Sequence, residues 1–182
     1  MPNPRILLIS GSTRGPSTNS ALVRTAALCA PPGVSAVVYD GLAELPHFNP
    51  DDDRDPLPPA VAELRSAIAA SSALLFCTPE YAGTLPGSFK NLLDWTVGGT
   101  EIAGKAVAWV NAAADPRRGT GATATLRTVL GYVQARVVED ACRHVPVPSE
   151  SVREGEIGDD ATRTAIREVL ATLAGAATAP DD

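Results

Sequence analysis

Short runs rich in Val, Ile and Leu recur five times along the chain, each followed by a longer stretch with apolar residues spaced i, i+3 and i+4. This alternation constrains the fold more than any other feature. A run apolar at every position must be covered on both faces, and an amphipathic helix is apolar on the one face that can cover it. The chain therefore reads as α/β, a five-stranded parallel sheet between two layers of helices. Strands are predicted over Arg5 to Ser10, Val34 to Tyr39, Ala73 to Cys77, Lys105 to Asn111 and Arg136 to Glu139. Helices are predicted over Asn19 to Cys29, Pro59 to Ala70, Gly87 to Trp95, Gly121 to Val133 and Asp160 to Leu173. Pro31-Pro32-Gly33, Gly98-Gly99 and Gly131 fall where these elements must end.

A chain of 182 residues with no internal repeat and no Gly/Ser-rich linker is expected to form one domain over residues 1–175, with 176–182 as a frayed tail. The segment from Gly41 to Pro59, which carries Asp51-Asp52-Asp53-Arg54-Asp55, reads as a surface loop with solvated charges. Its carboxylates lack the alternating spacing, glycine bend and distal Glu of a calcium loop. Cys29, Cys77 and Cys142 are widely spaced, as are His47 and His144, so neither a disulfide framework nor a metal site can be drawn, and no metal is expected. A net charge of -6 without a Lys/Arg cluster argues against a nucleic-acid partner. The apolar run before Gly11 is too short for a signal-peptide core or a membrane span, so a cytoplasmic protein with no membrane partner is expected.

Two loops carry the candidate chemistry. The first strand leads into Gly11-Ser12-Thr13-Arg14-Gly15-Pro16-Ser17-Thr18-Asn19-Ser20 and, without a gap, into the helical run Ala21-Leu22-Val23. A strand, a hydroxyl-rich loop and a helix N-terminus together aim backbone N–H groups and the positive end of the helix dipole at one place. Ser12, Arg14, Ser17, Asn19 and Ser20 would add side-chain donors suited to a phosphate monoester. The same residues also make an ordinary capped helix start. The missing GxxxxGK[ST] and GxGxxG patterns exclude a nucleoside-triphosphate loop and a dinucleotide Rossmann site, and a loop without cysteine excludes a thiol-based phosphatase.

The third strand leads into Thr78-Pro79-Glu80-Tyr81-Ala82-Gly83-Thr84-Leu85-Pro86-Gly87. Doubly wound sheets bind ligands beyond the C-terminal ends of their strands, where strand order reverses. In the flavodoxin-like order 2-1-3-4-5 that place lies between strands one and three, where both loops emerge. The expected fold is thus a flavodoxin-like three-layer sandwich. Tyr81 and the backbone from Glu80 to Gly83 would line a planar ring, although Tyr81 also fits a half-buried loop aromatic and Glu80 a solvated or capping carboxylate. Phe89, Leu92 and Trp95 read as core or subunit-interface residues, and Cys77 as a small buried hydrophobe.

GSTRGPSTNSAL and TPEYAGTLPGSFKNLLDW, in that order, resemble the two signature stretches of the NADPH-dependent FMN reductase family. The resemblance runs from the first strand to the fourth helix and is weak after Pro148. It implies FMN with its phosphate on Ser12, Arg14, Ser17, Asn19 and Ser20 and its isoalloxazine on Pro79, Glu80, Tyr81, Ala82 and Gly83. It further implies hydride transfer from NADPH or NADH to flavin N5, then reduction of a small acceptor: a flavin, a quinone, an azo compound or a metal ion. No protein acid or base is required, because the flavin carries the transfer. A homodimer or homotetramer is implied as well. Two departures stand out. Ala82 occupies a position where similar proteins usually have Asn, and Asn111 to Gly121 replaces a shorter Ser- and Gly-rich stretch, in which Gly119 still approaches the flavin. Arg117 and Arg118 there either reach the 2'-phosphate of NADPH or are simply solvated. The alternatives are a non-enzymatic flavodoxin-like electron carrier, against which the Arg-containing first loop and the PEY loop argue, and a domain that has lost its cofactor.

Overall fold

In the computed structural model, which describes residues 3–179, five parallel positions form the sheet in the order β2-β1-β3-β4-β5. The strands are β1 (Arg5–Ser10), β2 (Ser35–Tyr39), β3 (Ala73–Cys77), β4 (Ala106–Asn111) and β5 (Arg136–Val137). The helices are α1 (Thr18–Leu28), α2 (Pro59–Ala69), α3 (Gly87–Asp94), α4 (Thr120–Tyr132) and α5 (Asp160–Thr178). Alternation along the strands divides the core between two layers. Ile6, Leu8, Leu75, Ala108 and Val110 pack against α1 and α5, while Leu7, Ile9, Phe76, Val107 and Trp109 face the side of α2, α3 and α4. Every residue of β3 is buried, as a strand covered by helices on both faces requires, which is why it is apolar throughout. Phe89, Leu92 and Trp95 are among the core residues.

The fifth position departs from its predicted continuous strand. After Arg136–Val137 the chain leaves the sheet in a single 3₁₀ turn, Glu139–Ala141, and returns as β6 (Arg143–His144), which pairs with β4 at Val110 and Asn111. The turn buries Ala141 in the α5-side core and lets Glu139 pair with Arg127, whose guanidinium sits 5.0 Å from the Trp109 ring. A continued strand would have carried Glu139 and Asp140 along a ladder, where neither charge has a partner. A short hairpin, β7 (Val152–Arg153) and β8 (Glu156–Ile157), follows, with positive φ at Glu154 and Gly155 in its two-residue turn. It is fastened to α1, because Ile157 N donates to the buried Thr25 Oγ1 at 2.9 Å and Ile157 itself is fully buried. Helix α5 runs on to Thr178, past the predicted end at Leu173 and into the expected tail. Residues 180–182 of that tail lie outside the described residues.

The acidic loop is likewise more ordered than its composition implies. Asp53 is an almost buried partner of Arg65 at 2.6 Å, and the Arg65 guanidinium also donates to Trp95 O. Asn91 and Trp95 of the α3 region hold the same loop through Phe48 N and Pro46 O. Among the described residues no helix is long and apolar enough to cross a membrane, and no group of three or more His, Cys, Asp or Glu is placed to hold a metal ion.

Candidate functional site

The loops following β1, β3 and β4 all emerge at the C-terminal edge of the sheet and enclose one cavity of about 720 Å³, a size typical of small-molecule sites. The first two loops are in van der Waals contact. Gly11 N donates to Cys77 O at 2.8 Å, and a Cβ at Gly11 would stand 2.3 Å from Thr78 Oγ1, so only glycine allows this approach.

Helix α1 opens directly onto the cavity. Ser17 is its N-cap, in extended conformation, with Oγ accepting from Ser20 N. Among the described residues the N–H groups of Thr18 and Asn19 in the first turn have no partner, and no acidic residue occupies that turn. Ser12, Arg14, Ser17, Thr18 and Asn19 line the wall around them. Unpaired N–H groups, an unopposed helix dipole and a guanidinium make this end an anion cradle. Asn19 is oriented from behind: the Cys77 thiol donates to its Oδ1 at 3.2 Å, leaving the side-chain NH₂ as a donor. Burial pushes the Cys77 thiol far above its ordinary range, so it stays protonated and suited to that role. Cys77 in the native protein is therefore expected to resist iodoacetamide at neutral pH, as judged by mass spectrometry after brief labelling. Rapid native labelling at Cys77 would contradict this placement.

A second helix N-terminus, that of α4, also faces the cavity but is closed to anions. Its N-cap is Gly119, which has no side chain to offer. Glu80 supplies the cap from the loop after β3, with Oε2 accepting from Gly121 N at 2.7 Å and Ala122 N at 3.1 Å. Gly121 permits this contact, since a Cβ there would meet Gly83 O at 2.2 Å. A Thr84 to Thr125 hydroxyl pair at 3.0 Å adds a further tie. The loop after β3 is thus fixed to α4, and among the described residues the helix dipole left free at the cavity is that of α1.

The structure brings Ser12, Arg14, Ser17, Asn19, Pro79, Glu80, Tyr81 and Gly119 to the cavity wall, but not Ser20, Ala82 or Gly83. The Ser20 hydroxyl turns inward to Ser10 Oγ at 3.0 Å. Ala82 and Gly83 form the exposed tip of a tight turn closed by reciprocal Tyr81 and Thr84 backbone bonds. Ala82 sits there at φ 51°, a left-handed conformation that costs a residue with a Cβ about 1 kcal/mol. Ala82→Gly is accordingly expected to raise stability by about 0.5–1 kcal/mol. Thermal unfolding checks this, and a lowered midpoint would count against a strained turn. Asn111, not among the candidate site residues of the sequence, ends β4 and lines the cavity, its Nδ2 donating to Arg118 O and its Oδ1 accepting from Ala113 N. A polar residue closing a wholly apolar strand was the available signal. Val147, Ser149 and Val152 complete the wall from a stretch without strong periodicity. Arg118 lines the cavity and Arg117 does not.

The sequence matches the family model described as NADPH-dependent FMN reductase over residues 4–147. It is 34% identical to an NAD(P)H-dependent FMN reductase of Pseudomonas aeruginosa over 173 residues, 93% of this chain and 92% of that one. It is 30% identical to an NADPH azoreductase of a Bacillus species over 75% of this chain and 74% of the relative. Among solved structures, FerB of Paracoccus denitrificans, a flavoenzyme NAD(P)H:(acceptor) oxidoreductase, superposes with a TM-score of 0.81 at 24% identity, covering 94% of this chain and 96% of that one.

Proposed function

The chain belongs to the NADPH-dependent FMN reductase family, and from that premise we propose that the cavity over β1, β3 and β4 is its flavin site and that the enzyme passes electrons from NAD(P)H to small quinone or azo acceptors. The observation that carries the placement is the contrast between two helix N-termini. The α1 end is open, with free N–H groups and Arg14, whereas the α4 end is capped by Glu80. A phosphate monoester fits the first and would meet a carboxylate at the second.

When bound, FMN supplies the redox chemistry, accepting hydride from the nicotinamide and releasing the electrons to the acceptor. The protein's own groups bind and orient. Ser12, Arg14, Ser17 and Asn19, with the Thr18 and Asn19 N–H groups, hold the phosphate. Pro79, Tyr81 and the loop carrying Gly119 flank the ring, and Glu80 fixes both flanking loops in one arrangement. Half-exposed Tyr81 stands at the mouth, where a second ring can stack. The acceptor classes rest on relatives named as quinone reductases and an azoreductase. Assembly as a homodimer or homotetramer, which the family resemblance implies, belongs to the same reading. Steady-state NADPH oxidation by the FMN-loaded protein tests it, with a benzoquinone and an azo dye as acceptors. Acceptor-dependent oxidation is expected, and a flavin-loaded protein inert toward both classes would refute the assignment.

A further inference from the structure

Arg118 is a cation of the cavity for which the phosphate cradle at α1 has no use. Its loop follows β4, and β3 lies between β4 and β1, so the loop leaves the sheet two strand spacings, about 10 Å, from the one bearing Arg14. The neighbouring Arg117 directs Nε and Nη2 at the two oxygens of Asp115, at 3.1 and 2.8 Å, and stays off the cavity. Those bonds, with smaller contributions from the Arg118 and His144 charges, hold the Asp115 carboxyl below its usual range, so Asp115 remains ionised with both oxygens bonded by Arg117. Arg118 is consequently left without an ion-pair partner among the described residues, although its backbone is fixed by Asn111 Nδ2 donating to Arg118 O at 2.8 Å. A positioned main chain carrying an unpaired, exposed guanidinium on a cavity rim is suited to recognise an oxyanion of a molecule that comes and goes.

Resting on the flavin-reductase reading, we propose that Arg118 binds a phosphate of the nicotinamide coenzyme. The phosphate is either the 2'-phosphate that distinguishes NADPH from NADH or the pyrophosphate that both carry. The Asp115–Arg117 pair serves this role indirectly: Asp115 also lines the cavity, and both its oxygens are bonded by Arg117, so it makes no ion pair with Arg118.

The test compares FMN-loaded wild type, Arg118→Ala and Arg118→Lys, with kcat/KM measured for NADPH, for NADH and for an uncharged benzoquinone. The Ala variant is expected to lose about tenfold to a hundredfold in kcat/KM for NADPH, the range of a lost charged hydrogen bond. The Lys variant should recover part of it, keeping the charge without the fork. FMN content and kcat/KM for the quinone should not change, which a general loosening of the site would not allow. A fall confined to NADPH assigns the 2'-phosphate, and an equal fall for NADH assigns the pyrophosphate. Unchanged values for both coenzymes, or an equal fall for the quinone, overturn the proposal. A wild-type protein that takes up no FMN, or whose flavin neither coenzyme reduces, overturns the underlying reading together with it, and is seen before any variant is compared.

Discussion

Thr18→Asp is expected to abolish tight FMN binding while leaving the fold as stable as before or slightly more so. Thr18 is the first residue of α1 and lines the cavity, and its N–H is one of the free donors. A carboxylate in the first turn of a helix favours that helix by about 0.3–1 kcal/mol, so the substitution does not act through unfolding. Toward a phosphate about 4 Å away the same carboxylate is repelled by about 4 kcal/mol at the dielectric typical of a protein surface. The FMN dissociation constant should therefore rise by about a hundredfold or more. Riboflavin, which has the ring without the phosphate, should bind wild type and variant alike. Fluorescence titration with both ligands separates the two effects. Undiminished FMN affinity in Thr18→Asp would mean that the phosphate lies elsewhere.

Glu80→Ala should produce the complementary result. Removing the carboxylate leaves Gly121 N and Ala122 N without an acceptor in a half-buried position and leaves the Thr84–Thr125 hydroxyl pair to hold the loop after β3 to α4. A lost charged cap of this kind costs about 2 kcal/mol, which in a chain of this size lowers the unfolding midpoint by about 4–8 °C. Because the damage is to the ring side of the cavity and the α1 cradle is untouched, FMN and riboflavin should weaken by the same factor. Glu80→Gln keeps an acceptor oxygen and should regain most of both losses. Calorimetry and the same two titrations check this, and an unaltered midpoint with normal flavin affinity in Glu80→Ala would show that this contact does not shape the site.

The fold was most legible where apolar runs end abruptly. β1 and β3 begin and end at the predicted residues because polar or turn-forming residues bound them on both sides. The fifth position was only half legible. The run from Arg136 looks like a strand, and nothing local reveals that Ala141 reaches the core only if the chain leaves the sheet and returns as β6. The β7–β8 hairpin has two-residue strands, too short for any periodicity to register. Local motifs likewise marked the residues that line the α1 side of the cavity, since strand, loop and helix start are contiguous from Arg5 to Leu28. Glu80 was expected against the ring or, alternatively, as a solvated or capping carboxylate, and the sequence does not say which helix it caps. Its actual partners lie 41 and 42 residues away, a relation that a linear reading of the TPEY segment does not contain. The same holds for Ser20, whose inward bond to Ser10 depends on how α1 crosses the end of β1. Asp53 was read as solvated because it sits in a run of aspartates, and only the placement of α2 brings Arg65 to it.

The most direct test of the account is the visible spectrum of the FMN-reconstituted protein, recorded after gel filtration and again after anaerobic addition of NADPH. Flavin bands are expected to travel with the protein and to bleach on adding the coenzyme. A protein that retains no FMN, or one whose bound flavin stays oxidised with both NADPH and NADH, would contradict it.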